Sequence, residues 1–320
     1  MLMSRSVLYD KEYSPQFAGH ETFPIRYGWL KKVIDSIEEE EKYSNYSLAV
    51  RGEEAIARFG VGKNMVSAMR FWAKATGVIT EPKSSTSAIQ PLGRLLFANG
   101  GLDPYMENPA TLWLLHWILA SNPDRTTWYW AFNHFPSVQF EREGIVGGLS
   151  RFANDKGWSK SSVTTIAKDV ACFLRTYVAK EGSGQSHLDD LLESPLTELG
   201  LIRAIGKRDG FRFVRGPKPS LGPGVLAYAV NDYWNRGAKE SSTMSFESIA
   251  YAPGGPGRVF LLSDDDIASR LAGIDRVTGG EIRWSETAGL RQLMRTKAIE
   301  KERALEWVQC EYLEQPNAHQ

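Results

Sequence analysis

The sixteen residues from Phe17 to Lys32 (FAGHETFPIRYGWLKK) gather His20, Glu21, Arg26, Lys31 and Lys32 among Phe, Tyr and Trp. A histidine can take up a proton, a carboxylate beside it can orient it or hold a metal, and an arginine can hold a phosphate. His20 as general base, Glu21 as its partner and Arg26 as the anion clamp make one workable set. A divalent cation such as Mg could serve beside Glu21, though no metal is fixed by the sequence. The same residues also suit a satisfied polar plug that pins the N-terminal segment to its domain. Both readings stay open.

Two further groups suit a polyanion. Between Arg58 and Lys74 there are four basic residues and no acidic one, and Lys63, Asn64, Arg70 and Lys74 fall in one helical stretch. Lys and Asn at the start of a helix match phosphates and base edges in a major groove. From Arg203 to Lys218 there are six basic residues (Arg203, Lys207, Arg208, Arg212, Arg215, Lys218) and one acid, Asp209. That is a sharp concentration in a chain whose 38 basic and 38 acidic residues balance. Zero net charge argues against indiscriminate polyanion binding but not against a localised surface.

Other candidates have simpler readings. Gly60-Val61-Gly62-Lys63-Asn64 lacks the Gly at 57 and the Ser or Thr at 64 of a phosphate-binding loop. Asp264, Asp265 and Asp266 read as a helix cap rather than a metal site. Asn133-His134 reads as a polar bridge between core helices. The five histidines and two cysteines form no zinc spacing, and two distant cysteines fit a reducing, cytoplasmic setting.

The elements that must position these groups follow from periodicity. Ile25, Trp29, Leu30, Val33, Ile34 and Ile37 predict a core helix starting at Pro24. Glu53–Phe59 and Lys63–Ala75 read as two helices around a glycine turn. Gly77–Thr80, a polar loop from Pro82 to Ser87, and strands at Ala88–Gln90 and Leu92–Phe97 complete a winged helix-turn-helix order. Leu112–Leu119 with Trp128–Phe135 reads as a packed helical pair, the first too short to span a membrane. Ser159–Ala179 reads as another helix, showing Lys160, Lys168 and Arg175. Glu181–Ser186 reads as a linker, and Asp209-Gly210 as the turn of a hairpin. Glu281–Glu286 reads as a strand into a final helix bearing Leu290, Leu293 and Met294. The expected fold is mainly α with small β wings: winged helix-turn-helix modules joined by a helical middle region. The expected domains are 1–100 (winged), 101–182 (aromatic-rich, helical) and 183–320 (α+β, with the basic hairpin).

The segments Phe17–Lys32, Val61–Ala75 (VGKNMVSAMRFWAKA), Leu112–Leu119, Trp128–Phe135 and Ser285–Leu293 (SETAGLRQL) resemble a family described as a domain of unknown function and encoded beside bacterial DNA phosphorothioation genes. The resemblance runs over nearly the whole chain. It implies a cytoplasmic protein of DNA modification and phage defence that nicks double-stranded DNA so that sulfur can be inserted. It also implies work alongside a cysteine desulfurase, an ATPase and an ATP-pyrophosphatase-like enzyme, away from membranes. It transfers no catalytic residues. No known nuclease motif is visible, so a non-enzymatic winged-helix adaptor that recruits the sulfur-transfer enzymes is the alternative, and a scaffold for an acidic partner is a third reading.

Overall fold

A computed structural model describes residues 6–43, 52–81, 87–158, 161–179, 194–206 and 209–313. Residues 82–86 of the expected polar loop, the linker at 181–186, and Lys160, Lys207 and Arg208 lie outside the described residues.

Three units each set helices ahead of an antiparallel hairpin. The first unit runs α1 (Trp29–Tyr43), α2 (Gly52–Phe59), α3 (Lys63–Ala75), β1 (Ile79–Thr80) and β2 (Ala88–Ile89), the strands pairing antiparallel, followed by α4 (Pro91–Phe97). After α5 (Pro109–Ala120) the second runs α6 (Thr126–Asn133), β3 (Gln139–Glu141), α7 (Arg142–Asp155), α8 (Val163–Tyr177), β4 (Ile202–Ile205) and β5 (Gly210–Phe213), with sheet order β3-β5-β4. The third runs α9 (Pro223–Ala238), β6 (Thr243–Ser245), α10 (Phe246–Tyr251), α11 (Pro256–Val259), α12 (Asp264–Ala272), α13 (Ile274–Val277), β7 (Ile282–Thr287) and β8 (Leu290–Arg295), in order β6-β8-β7, and closes with α14 (Lys301–Leu313). Helix, strand, two helices and a hairpin whose second strand returns to the first, the order of the second unit, is winged-helix order; the first unit lacks the leading strand and the third splits its helical part into four short helices, and α3, α8 and α12 are the helices that correspond to a groove-reading one. The basic hairpin pairs with β3. It therefore shares a sheet with the middle region, across the boundary expected at 182/183.

The axle is α5. Almost every side chain in it is buried, as for a helix that is apolar all round. His116 survives there by being satisfied: Nδ1 pairs with the Tyr177 hydroxyl and Nε2 with the Val259 carbonyl, each at 2.8 Å. Burial pushes its pKa down to about 3, so it stays neutral. Among the described residues no helix is long and apolar enough to cross a membrane.

Three expectations change. The first helix starts at Trp29, because Gly28 has φ +72° and cannot sit inside a helix. Leu92–Phe97 is helical, since Pro91 opens it and Leu92 and Leu96 bury one face at i, i+4. Leu290–Met294 lies in strand β8, because Ala288 and Gly289, at φ +51° and +80°, turn the chain back on β7.

Candidate functional site

The segment from Ala18 to Thr22 is wedged between α3 and α8. Four of its five residues are left-handed: Ala18 at φ +67°, Gly19 at +94°, Glu21 at +48° and Thr22 at +66°. Outside glycine each such residue costs about 1 kcal/mol or more, and such strain persists only where neighbours over-determine it. Gly19 answers two demands at once, since a Cβ there would stand 2.8 Å from the Phe71 ring of α3.

The neighbours are specific. Asp169 of α8, almost fully buried, accepts from His20 Nε2 at 2.7 Å, from the Ala18 N–H at 2.8 Å and from the Thr127 hydroxyl. His20 Nδ1 accepts from the Thr22 N–H at 3.0 Å. Trp72 Nε1 and Cys172 Sγ both donate to the Phe23 carbonyl, and Arg175 donates to that of Thr22. With both ring nitrogens engaged and 2% exposure, His20 is a pin under the loop rather than a base open to substrate.

Glu21 is on the outside of this turn. It is exposed and opens on a cleft of about 600 Å³ that it shares with Ser67, Arg70, Phe71 and Lys74 of α3 and with Arg125. Arg125 stacks its guanidinium over Phe71 at 5.2 Å and forms no ion pair among the described residues. Burial lowers its pKa, Asp124 and Asp169 opposing that shift. Arg70 donates to Glu81 through Nε and Nη2, and Lys74 lies 3.2 Å from the same carboxylate. Burial acts to raise the Glu81 pKa, but the hydrogen bonds and charges of Arg70 and Lys74 outweigh it and hold it at about 2 rather than 4.5. A depressed folded-state value means that Glu81 contributes stability present above the unfolded pKa and lost as pH falls through the folded one. The penalty of Glu81→Gln in denaturant unfolding is therefore expected to be largest at neutral pH and to shrink between pH 4.5 and about 2. A penalty that stays constant across that window would contradict this account.

The three residues grouped by sequence do not meet around one space. Arg26 lies over the rings of Phe23 and Trp29, at 5.6 and 5.5 Å, with its Nε buried and unpartnered, and does not line the cleft. Of the anion-binding set, Lys63, Asn64 and Lys74 are exposed along α3 with Arg70 half-buried. Arg203 and Arg212 are exposed and directly opposed across β4 and β5, a like-charge pair that costs stability unless an anion covers it. Arg215 is exposed but donates to the Leu262 carbonyl. Lys218 is buried: its ammonium donates to the carbonyls of Val214, Gly216 and Leu261, which leaves no proton for a phosphate, and burial lowers its pKa to about 8. It therefore falls out of the anion-binding set. On α12 the groove-reading position carries Asp264 and Asp265, both exposed, so the third unit presents acid where the first presents base. Asn133 bridges core elements as expected, donating to Ala120 and Tyr129 carbonyls and accepting from the Gly254 N–H.

Asp169 and Arg125 were missed by sequence reasoning. Asp169 had a signal, because an acid three residues after Ile166 and four before Phe173 falls on the apolar stripe of its helix and must find buried partners. Arg125 had none beyond standing next to an aromatic helix.

Known proteins place this geometry in context. Two solved structures match over 98% of this chain and 93% of theirs: an SspB crystal structure at 31% identity and TM-score 0.82, and a magnesium ion-bound SspB crystal structure at 30% identity and TM-score 0.81. No curated protein matches the chain in sequence. The family described as "protein of unknown function (DUF4007)" matches residues 17–312. A match spanning the cleft, the axle helix and all three winged units means that the chain belongs to that family, of the same fold as SspB.

Proposed function

We propose that the chain binds duplex DNA along α3, α8 and the β4–β5 wing and nicks one strand in the cleft beside Glu21, as a component of DNA backbone phosphorothioation. The observation that carries this reading is the strained loop pinned between two groove-reading helices, which presents a carboxylate to three cations. Arg70, Lys74 and Arg125 would hold the scissile phosphate and stabilise the charge of its five-coordinate transition state. Glu21 would take a proton from the attacking water, whose oxygen bonds to phosphorus as the bond to the departing sugar oxygen breaks. His20 and Asp169 position the loop and do not touch substrate. Membership of the family resembled by sequence and the likeness to SspB support the phosphorothioation setting, with a cysteine desulfurase, an ATPase and an ATP-pyrophosphatase-like enzyme as partners.

One SspB structure binds magnesium. Among the described residues Glu21 is the only carboxylate lining the cleft, and no three His, Cys, Asp or Glu converge. These residues do not fit a protein-built magnesium cage. The pairing of Arg70 and Lys74 with Glu81 favours the second reading, a DNA-binding adaptor without catalysis.

Incubation with supercoiled plasmid separates the two, since a nickase yields open circles and an adaptor only a gel shift. In either case Lys63→Ala and Arg212→Ala are expected to weaken DNA binding uniformly across sequences, each lowering the slope of log affinity against log salt by about one. Unchanged slopes in both variants would remove these residues from the interface.

A further inference from the structure

A second cavity, of about 560 Å³, lies between α6, β3 and α7 and shares no lining residue with the cleft at Glu21. Its walls are rings: Tyr9, Trp130, Phe135 and Phe152. These aromatics pack edge-on or tilted against one another, Tyr9 against Phe152 at 5.6 Å and Trp130 against Phe135 at 5.3 Å. Phe135 and Phe152 are only half-buried and Tyr9 is 38% exposed, so apolar ring surface is left facing the space. Nothing in the described chain fills it.

The floor is α7, where Gly144 and Gly148 stand one turn apart. Glycine inside a helix costs about 1 kcal/mol relative to alanine, so an intramolecular reason is expected. Gly148 has one, because a Cβ there would approach Trp130 to 3.0 Å. Gly144 has none: a Cβ would meet nothing within 4 Å. Its bareness keeps the helix backbone open to something outside the chain. Polar groups line it as well: half-buried His134, whose Nε2 pairs with the Ser6 hydroxyl, and exposed Ser137, Gln139, Arg151 and Asp155. Arg151 is exposed, forms no ion pair among the described residues and lies along its own helix, Nη1 3.6 Å from a Cβ built on Gly147. Gln139, also at the rim, is paired in register with Arg212, which is paired with Arg203, so a row of cations leads away from the opening.

A ring-walled recess, a bare helix floor, the Arg151 guanidinium at the mouth and Arg212 on the strand beside it together suit one chemical class. We propose that this cavity binds a nucleobase, its sugar-phosphate lying toward Arg151 and Arg212. Aromatic walls stack on any base and the cations track its backbone. The base could belong to a free nucleotide or to an unpaired stretch of DNA. The pocket stands apart from the cleft, so the proposal holds whether or not the chain nicks DNA.

The test uses 2-aminopurine, whose fluorescence is quenched by stacking, presented to the full chain as the free deoxynucleoside monophosphate and as one residue of a short single-stranded oligonucleotide. Saturable quenching is expected with at least one probe. Quenching by the monophosphate identifies a nucleotide site, and quenching by the oligonucleotide alone identifies a site for an unpaired DNA base. Gly144→Leu, which fills the floor without meeting any protein atom near its Cβ, is expected to weaken binding by about tenfold with unchanged or higher thermal stability, and Arg151→Ala by a smaller factor. Lys301→Gln, exposed at the start of α14 and outside both cavities, should leave the quenching unchanged. Absence of quenching with both probes overturns the proposal, as does quenching that Gly144→Leu and Arg151→Ala both leave at the wild-type level.

Discussion

Glu21→Gln is expected to lower plasmid nicking by about a hundredfold or more while the gel shift stays near that of the unmodified chain. Proton transfer by a placed carboxylate contributes roughly 10²–10⁴ in rate, and the amide keeps the shape of the side chain without the ability to accept a proton. Because Glu21 is exposed on the outer side of its turn, its replacement leaves the pins of the loop intact. Stability should therefore hold within about 0.5 kcal/mol. Nicking at the unmodified rate would remove Glu21 from the chemistry, and loss of the gel shift along with nicking would mean that the residue serves binding instead.

The second large effect sits beneath it. Asp169→Ala leaves the His20 ring N–H, the Ala18 N–H and the Thr127 hydroxyl without their shared acceptor in a buried place. Orphaning donors around a deleted buried charge costs on the order of 3–5 kcal/mol. Denaturant unfolding should show that loss. At temperatures where the variant remains folded, nicking should fall with DNA affinity kept, since the loop can relax from its left-handed turns and carry Glu21 away from Arg70, Lys74 and Arg125. A stability change below about 1 kcal/mol would show that the carboxylate is not the keystone of the loop. His20→Ala should behave as a milder version, because the Ala18 and Thr127 donors keep their acceptor.

These two variants mark where the sequence was readable and where it was not. Periodicity and the glycine turn at 60–62 led correctly to α2, α3 and the first wing, and Asp209-Gly210 to the β4–β5 hairpin. Winged order in the second and third units was hidden, because the pairing of β3 with β5 spans some seventy residues and no local pattern encodes it. The same limit governs the site. His20 and Glu21 are neighbours in sequence, yet a left-handed turn sends one inward to Asp169 and the other outward to the cleft. Adjacency suggested a shared role, whereas backbone geometry divided it. Lys218 shows the converse error, since a charge count cannot tell a solvated ammonium from one that three carbonyls have taken up.

The N-terminal strap carries one more implication, for the order of events during synthesis. Tyr13 bonds to Pro123 and Thr126, Ser6 to His134, Ala18 to Asp169, and Thr22 to Arg175, partners separated by 110 to 153 positions. Contacts of such long range close late, after the local helices have formed. On a ribosome the segment around Glu21 emerges well before α8 and cannot take up its strained turn until α8 has followed it out. A nascent chain stopped short of α8 would already carry Arg70 and Lys74 paired with Glu81, but not yet the turn that presents Glu21 beside them.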